Sequence, residues 1–240
     1  YIQTLYDAGF EKIGENTIEE NLYYLLKKDQ TYYYIYYTAY SQTVRIIKDL
    51  ATTVAPAELN KDAVGKEQTE FYVYSIDYSS TGQYSKTDYW SVDCGASLII
   101  KFADNSVMIL DGGHQRQSSK TAQESFLNFL YEITGADKDK GEKIRIRSWF
   151  FSHAHDDHIY FCKALLDRYH SDLNLESVMF NFPSYQVING GYAVSTFEVK
   201  ESIRQHYPDC KVVKLHTGQN FSMQGVDFQV LYTHEDAVSN

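Results

Sequence analysis

The stretch WFFSHAHDDHIYF, residues 149–161, packs three of the chain's eight histidines and two aspartates into positions 153–158. Imidazole and carboxylate together are the ligand set of a borderline divalent cation, zinc first, with manganese or iron as alternatives. His153 and His155 stand at i and i+2. In extended backbone both side chains project to the same side and converge on one ion. Asp157 and His158 are adjacent and diverge, so they suit a second, neighbouring position. The plain alternative is a capping loop with Asp156 or Asp157 as N-cap and solvated histidines. A plain cap, however, needs one Asp or Ser, not His-Ala-His-Asp-Asp-His. The expected chemistry is binding of one or two metal ions.

Such ligands need elements to hold them. EKIRIRSWFFS, just before the cluster, alternates and then turns wholly apolar, as a strand entering a covered sheet does. HIYFCKALLDRY, just after it, has helical spacing. The cluster therefore falls between the carboxyl end of a strand and a helix, where open α/β sheets place their sites. The positive end of that helix favours carboxylate and disfavours imidazolium, which keeps both groups in ligand form. Upstream, ASLIIKFADNSVMILDGG reads as a hairpin turning at 103–106. SSKTAQESFLNFLYEITG reads as a helix with apolar positions 126, 127, 130 and 133, capped by Ser118 or Ser119 and ended by Gly135. Downstream, LESVMFNF is a strand, YAVSTFEVKESIRQHY a helix ended by Pro208, and CKVVKLH, NFSM and VDFQVLY short strands. Strand and helix alternate from about residue 107 to 231, which predicts an α/β sheet with helix-bearing faces.

The first part of the chain has another rhythm. NLYYLLKKDQTYYYIYYTAYSQTVRIIKDL is rich in tyrosine and β-branched residues, which favour strands. KKDQ and AYSQ read as turns, giving a small meander behind a short helix in IQTLYDAGF. Its tyrosines are the half-buried amphipathic residues of a sheet, or else a stacking surface for sugars or bases. APAELNKDAVGKEQ, residues 55–68, reads as a linker. The predicted organisation is a small β-rich α+β accessory domain over 1–70 and a second domain over 71–240.

Composition narrows the partners. The net charge of −10 argues against nucleic acid, whose phosphates want a basic face. No apolar run of about 18 residues exists, so no membrane span is expected. A small-molecule substrate is the expected partner. Cys94, Cys162 and Cys210 are widely spaced and read as free thiols. The first residues show no signal pattern and no initiator Met, so the chain reads as a trimmed segment. The cytoplasm is slightly favoured and export stays open.

HAHDDH matches the H-x-H-x-D-H signature of the metallo-β-lactamase-fold hydrolases, and VMILDGG resembles the opening strands of that superfamily. The resemblance covers about residues 90–240. It implies a four-layer αββα sandwich with a metal centre between two sheets. By that resemblance His153 and His155 bind the first metal, and Asp157 and His158 the second. Asp157 also orients the nucleophile or accepts its proton, which makes it the catalytic residue. Asp111 matches an acidic residue near the metals and is read as supporting the ligands; the plain alternative is a turn carboxylate before Gly112 and Gly113. A third histidine is expected on a loop after a later strand. His234, in VDFQVLYTHED, fits best. His170 and His206 lie at helix ends, and His216 at a strand end. The family's bridging Asp and final His have no counterpart before Asn240. The resemblance therefore implies the N-terminal half of the sandwich, preceded by the small domain, and a chain that by itself is a poor catalyst. The implied function is a metal-dependent hydrolase in which a metal-activated water attacks an ester, amide, lactone or phosphodiester. The alternative is a non-catalytic metal-binding or interaction module with a degenerate or incomplete site.

Overall fold

Alternation of side chains along TYYYIYYT decides how the first sheet is used. A computed structural model describes residues 1–50, 69–76, 96–182 and 190–233. The linker read at 55–68, Cys94 and His234 lie outside the described residues. Helix α1 (Ile2–Asp7) precedes strands β1 (Glu11–Ile18), β2 (Asn21–Lys28), β3 (Thr31–Thr38) and β4 (Thr43–Leu50), which form an antiparallel meander in that order. The reversals fall in KKDQ and AYSQ, with Asp29 and Gln42 in left-handed backbone at φ 51° each. On one face Leu26, Tyr33 and Ile35 pack on Leu5 of α1. On the other, Tyr32 and Tyr34 cluster with Leu25.

The larger sheet begins with β5 (Glu70–Ser75), β6 (Ala96–Lys101) and β7 (Val107–Leu110), which are antiparallel neighbours. It continues through helix α2 (Lys120–Thr134), β8 (Ile144–Phe150), α3 (Asp156–Arg168), β9 (Leu173–Leu175), β10 (Ser177–Met179), α4 (Gly190–His206) and β11 (Lys211–Val213). The strand order is β11-β10-β8-β7-β6-β5, with β9 also on β8, and β7, β8, β10 and β11 run parallel. Each parallel step moves outward in the same direction, so right-handed crossovers stack all three long helices on one face. Phe126 and Leu130 of α2, Phe161 and Leu165 of α3, and Val199 and Ile203 of α4 share one buried core with Ile109, Ile146 and Trp149 of the sheet. The opposite face, through Ile100, Met108, Met179 and Val213, packs on the hairpin of β12 (Asn220–Met223) and β13 (Val226–Gln229) through Phe221 and Met223. The chain is thus a mixed α/β protein.

Most local expectations hold. Ser119 caps α2 by accepting from Ala122 N at 3.1 Å, and Gly135 ends it at φ 70°. LESVMF is interrupted at Glu176, but its pairing offset to β8 is the same on both sides of the break. The Glu176 carboxylate takes Arg145 and Arg147, both from β8. Helix α4 starts at Gly190, ahead of the expected Tyr192, and stops before Pro208. Among the described residues, no helix is long and apolar enough to cross a membrane.

The tyrosine face of the meander sits on the segment after β11. Tyr34 stacks on the fully buried His216 with ring centroids 3.5 Å apart. Asp49 lies 2.9 Å from Lys214 Nζ and 3.5 Å from His216 Nε2. Asn16 Nδ2 donates to Gly218 O at 3.0 Å. Gly218, at φ +85°, lies so close beneath the ring of Tyr23 that an added Cβ would meet Tyr23 Cδ1 at 1.6 Å.

Candidate metal centre

Strands β7 and β8 end level with each other, Leu110 opposite Phe150. Asp111 leaves the first as Phe151, Ser152 and His153 leave the second, so residues 40 apart in sequence meet above the sheet. Asp111 has φ 58°, a region that non-glycine residues enter at a cost of about 1–2 kcal/mol. Six hydrogen bonds hold it there. Its N–H donates to Phe150 O at 2.8 Å, and its carbonyl accepts from Ser97 Oγ at 2.8 Å and Trp149 Nε1 at 3.1 Å. Its carboxylate accepts from Ser152 N and Ser152 Oγ, each at 2.7 Å, and pairs with His158 Nδ1 at 2.8 Å.

This node sets two imidazole tautomers. A carboxylate only accepts, so Ser152 Oγ gives its one proton to Asp111. Ser152 Oγ then accepts from His153 Nδ1, 2.9 Å away. His158 Nδ1 likewise donates to Asp111. Both rings carry Nδ1–H, which places the lone pair of each neutral imidazole on Nε2. Metal-binding histidines are oriented in this way by carboxylate or carbonyl partners.

Two glycines bring the helix to the node. An added Cβ on Gly112 would meet Cys162 Cβ at 2.7 Å, and one on Gly113 would meet Ile76 Cδ1 at 2.4 Å. Their backbones bond directly to α3: Gly112 N to His158 O at 2.7 Å, Cys162 N to Gly112 O at 2.9 Å, and Phe161 N to Gly113 O at 3.1 Å. The sequence LDGG thus places α3 as well as the carboxylate. The N-cap of α3 is His155, without a side-chain cap, and Asp156 and Asp157 lie in the first turn. The capping-loop alternative is therefore not what the aspartates do.

The ring of His153 lies 4.5 Å from that of His155 and 4.0 Å from that of His158, centroid to centroid. Asp157 Oδ2 is 3.6 Å from His158 Nε2. His153, Asp157 and His158 are half-buried and His155 is exposed, so the group is open to solvent. Burial first, then the neighbouring His158 and His155, push the His153 pKa down, toward the neutral ligand form. The hydrogen bond to Asp111 pulls that of His158 up. In kind and tautomer these donors fit a zinc-class ion. Among the described residues, however, no group of three or more His, Cys, Asp or Glu side chains stands ready to hold a metal.

Comparison with protein-family models, with curated proteins and with solved structures gives no match.

Of the other histidines, His216 is engaged by the meander, and His170 and His206 stack on each other beyond the far end of α3. His234, expected as the third ligand, lies outside the described residues. Two neighbours of the cluster escape a reading of the sequence. Ser152 was signalled only by its place between β8 and His153. His114, whose Nε2 is 3.6 Å from Asp156 Oδ2, was signalled only by its place directly after LDGG.

Proposed function

We propose that the protein is a metal-dependent hydrolase whose helix, sheet and hairpin layers correspond to the first three layers of a metallo-β-lactamase-type αββα sandwich. The observation that carries this reading is the node of Asp111, Ser152, His153 and His158. A single carboxylate, directly at His158 and through Ser152 Oγ at His153, leaves each neutral imidazole with its lone pair on Nε2, an arrangement that a solvated capping loop has no use for. His153 and His155 would hold one ion, and Asp157 and His158 a second, with His234 as a further ligand. A bound zinc-class ion supplies Lewis acidity and brings the pKa of a water toward neutrality. Asp157 would orient the attacking water and accept its proton. Asp111 would hold His158 in register, and Asp157 lies in the first turn of α3, at the amino end of the helix. The substrate class is an ester, amide, lactone or phosphodiester.

Zinc titration by calorimetry, comparing the parent with H153A/H155A, tests the site. Loss of binding in the variant is expected, and equal binding would place the metal elsewhere. A panel of the four substrate classes, assayed with added zinc or manganese, tests the chemistry. The donors are not yet converged, which favours a second reading, a non-catalytic metal-binding module. Zinc binding without turnover of any class would establish it.

A further inference from the structure

The tyrosine face of the meander does not close on the α/β body along its whole length. Between β1–β3 and residues 217–220 it leaves a cleft of about 560 Å³, open mouth included. Small-molecule pockets fall in this range, about 300–1,000 Å³. Two rows of paired residues line it from the meander: Gly14, Leu25 and Tyr34, and then Asn16, Tyr23 and Tyr36. Gly14 leaves the room. An added Cβ there would meet nothing nearer than Leu25 Cβ, at 3.5 Å, an ordinary contact. Beside it a bulge between Lys12 and Gly14 turns Ile13 out of the ladder and onto Leu25 and Tyr34 at the cleft wall.

Three features point to the ligand. The meander wall is aromatic: Tyr23, half-buried, and Tyr36, buried, have ring centroids 5.6 Å apart at 32°. The negative face of such rings attracts weakly positive C–H groups. The opposite wall offers a donor. Gln219 Oε1 accepts from His216 N at 2.9 Å, which fixes the orientation of the amide. Gln219 Nε2 is then a buried donor without a partner among the described residues, a costly state that a ligand oxygen relieves. The third feature is charge. Among the described residues no Lys or Arg lines the cleft, and Glu15 at its mouth is already paired with Lys12 at 2.6 Å. A phosphate or carboxylate would find no counter-charge there. A neutral ring with a C–H face and a hydroxyl edge meets all three conditions, and that is a pyranose.

We infer that the cleft binds one neutral pyranose ring, its C–H face toward Tyr23 and Tyr36 and a hydroxyl oxygen on Gln219 Nε2. The site stands apart from the HAHDDH cluster, so its failure leaves the hydrolase reading, which zinc titration tests, untouched. The test is saturation-transfer NMR on the protein with methyl β-glucoside, methyl β-galactoside and cellotriose at millimolar concentration. Saturation should reach the ring C–H protons of at least one of them. Equal affinity for glucoside and trisaccharide marks a free sugar as the ligand, and tighter trisaccharide binding a chain end; either supports the ring site. G14V puts a branched side chain into the cleft at a strand position, which favours one, and should abolish the transfer with the melting temperature kept. Q219E keeps the acceptor for His216 N, removes the donor, and should weaken binding about 2–10-fold. Should G14V melt early, Q219E decides. No transfer to any sugar in the parent overturns the inference, as does undiminished transfer in either variant. Preference for adenosine or uridine over every sugar also overturns it, since the tyrosines would then stack bases.

Discussion

His158 Nδ1 lies 2.8 Å from Asp111 Oδ2, across 47 residues of sequence. Replacing Asp111 with Asn tests what that carboxylate does. Asn tolerates left-handed backbone, so D111N removes charge and acceptor strength with little added strain. Zinc affinity at the HAHDDH site should fall by about 10–100-fold. Calorimetry on the parent and on D111N checks the effect, and an unchanged affinity would reduce Asp111 to a turn carboxylate.

The same pair gives two pH slopes of opposite sign. The pKa of His158 is raised by Asp111. In the metal-free protein the pair therefore stabilises the fold fully below the unfolded value of about 6.5, and this contribution is lost as pH rises through the folded value. Zinc needs the neutral ring, so its affinity should rise over that window. Melting without metal and zinc titration across a pH series check both slopes, and D111N should flatten them. Two slopes of the same sign in the parent would rule His158 out as the titrating ligand.

Gly218 is one of the contact points between meander and α/β body. G218A must push the Tyr23 ring away and also holds φ at +85°. The expected loss is about 1–3 kcal/mol, measured by urea denaturation, with faster protease cleavage within residues 1–50. Adding Y23A removes the clash but not the backbone strain, so it should restore part of the seating. Full recovery, or none, would contradict a contact made of both.

Asp49 gives that contact an acid limit. His216 first, and then Lys214, hold the Asp49 pKa down to about 2. A depressed carboxylate stabilises above its unfolded value of about 3.9, and the contribution is lost as pH falls through the folded value. The meander should loosen between pH 4 and 2, seen as increased protease cleavage in β1–β4. D49N should be loosened already at neutral pH and change little over that window. A parent indifferent to acid over that range would show that the ion pair does not bear on the seat.

What was legible in the sequence is what neighbouring residues encode together. The Tyr and Ile run of β3, the Ile–Arg alternation that opens β8, the 3.6-residue spacing of HIYFCKALLDRY, and the caps Ser119 and Gly135 each act within a few positions, and each matches the structure. The node at Asp111 was legible only as a possibility raised by LDGG. It exists because Leu110 stands opposite Phe150, a pairing that no local pattern specifies. Ser152 reads as an ordinary residue until that pairing places it between two imidazoles and a carboxylate. His216 read as a strand-end histidine for the same reason, because Tyr34, its stacking partner, belongs to a sheet some 180 residues earlier in the chain.

The bond from Asn16 to Gly218 spans 202 residues, whereas every strand pair within the meander joins sequence neighbours. During synthesis at roughly 5–20 residues per second, the seat of the meander arrives some 10–40 s after the meander itself. For that interval the face carrying Tyr23, Tyr34 and Tyr36 stands uncovered at the mouth of the ribosome. A ribosome-bound chain halted before Lys214 should be cut in β1–β4 more readily than one released past Val230; equal resistance would mean that another surface shelters it. The fate of the meander then depends on the pace of translation, and its tyrosine face stays open to a chaperone, or a neighbouring nascent chain, until its seat has been made.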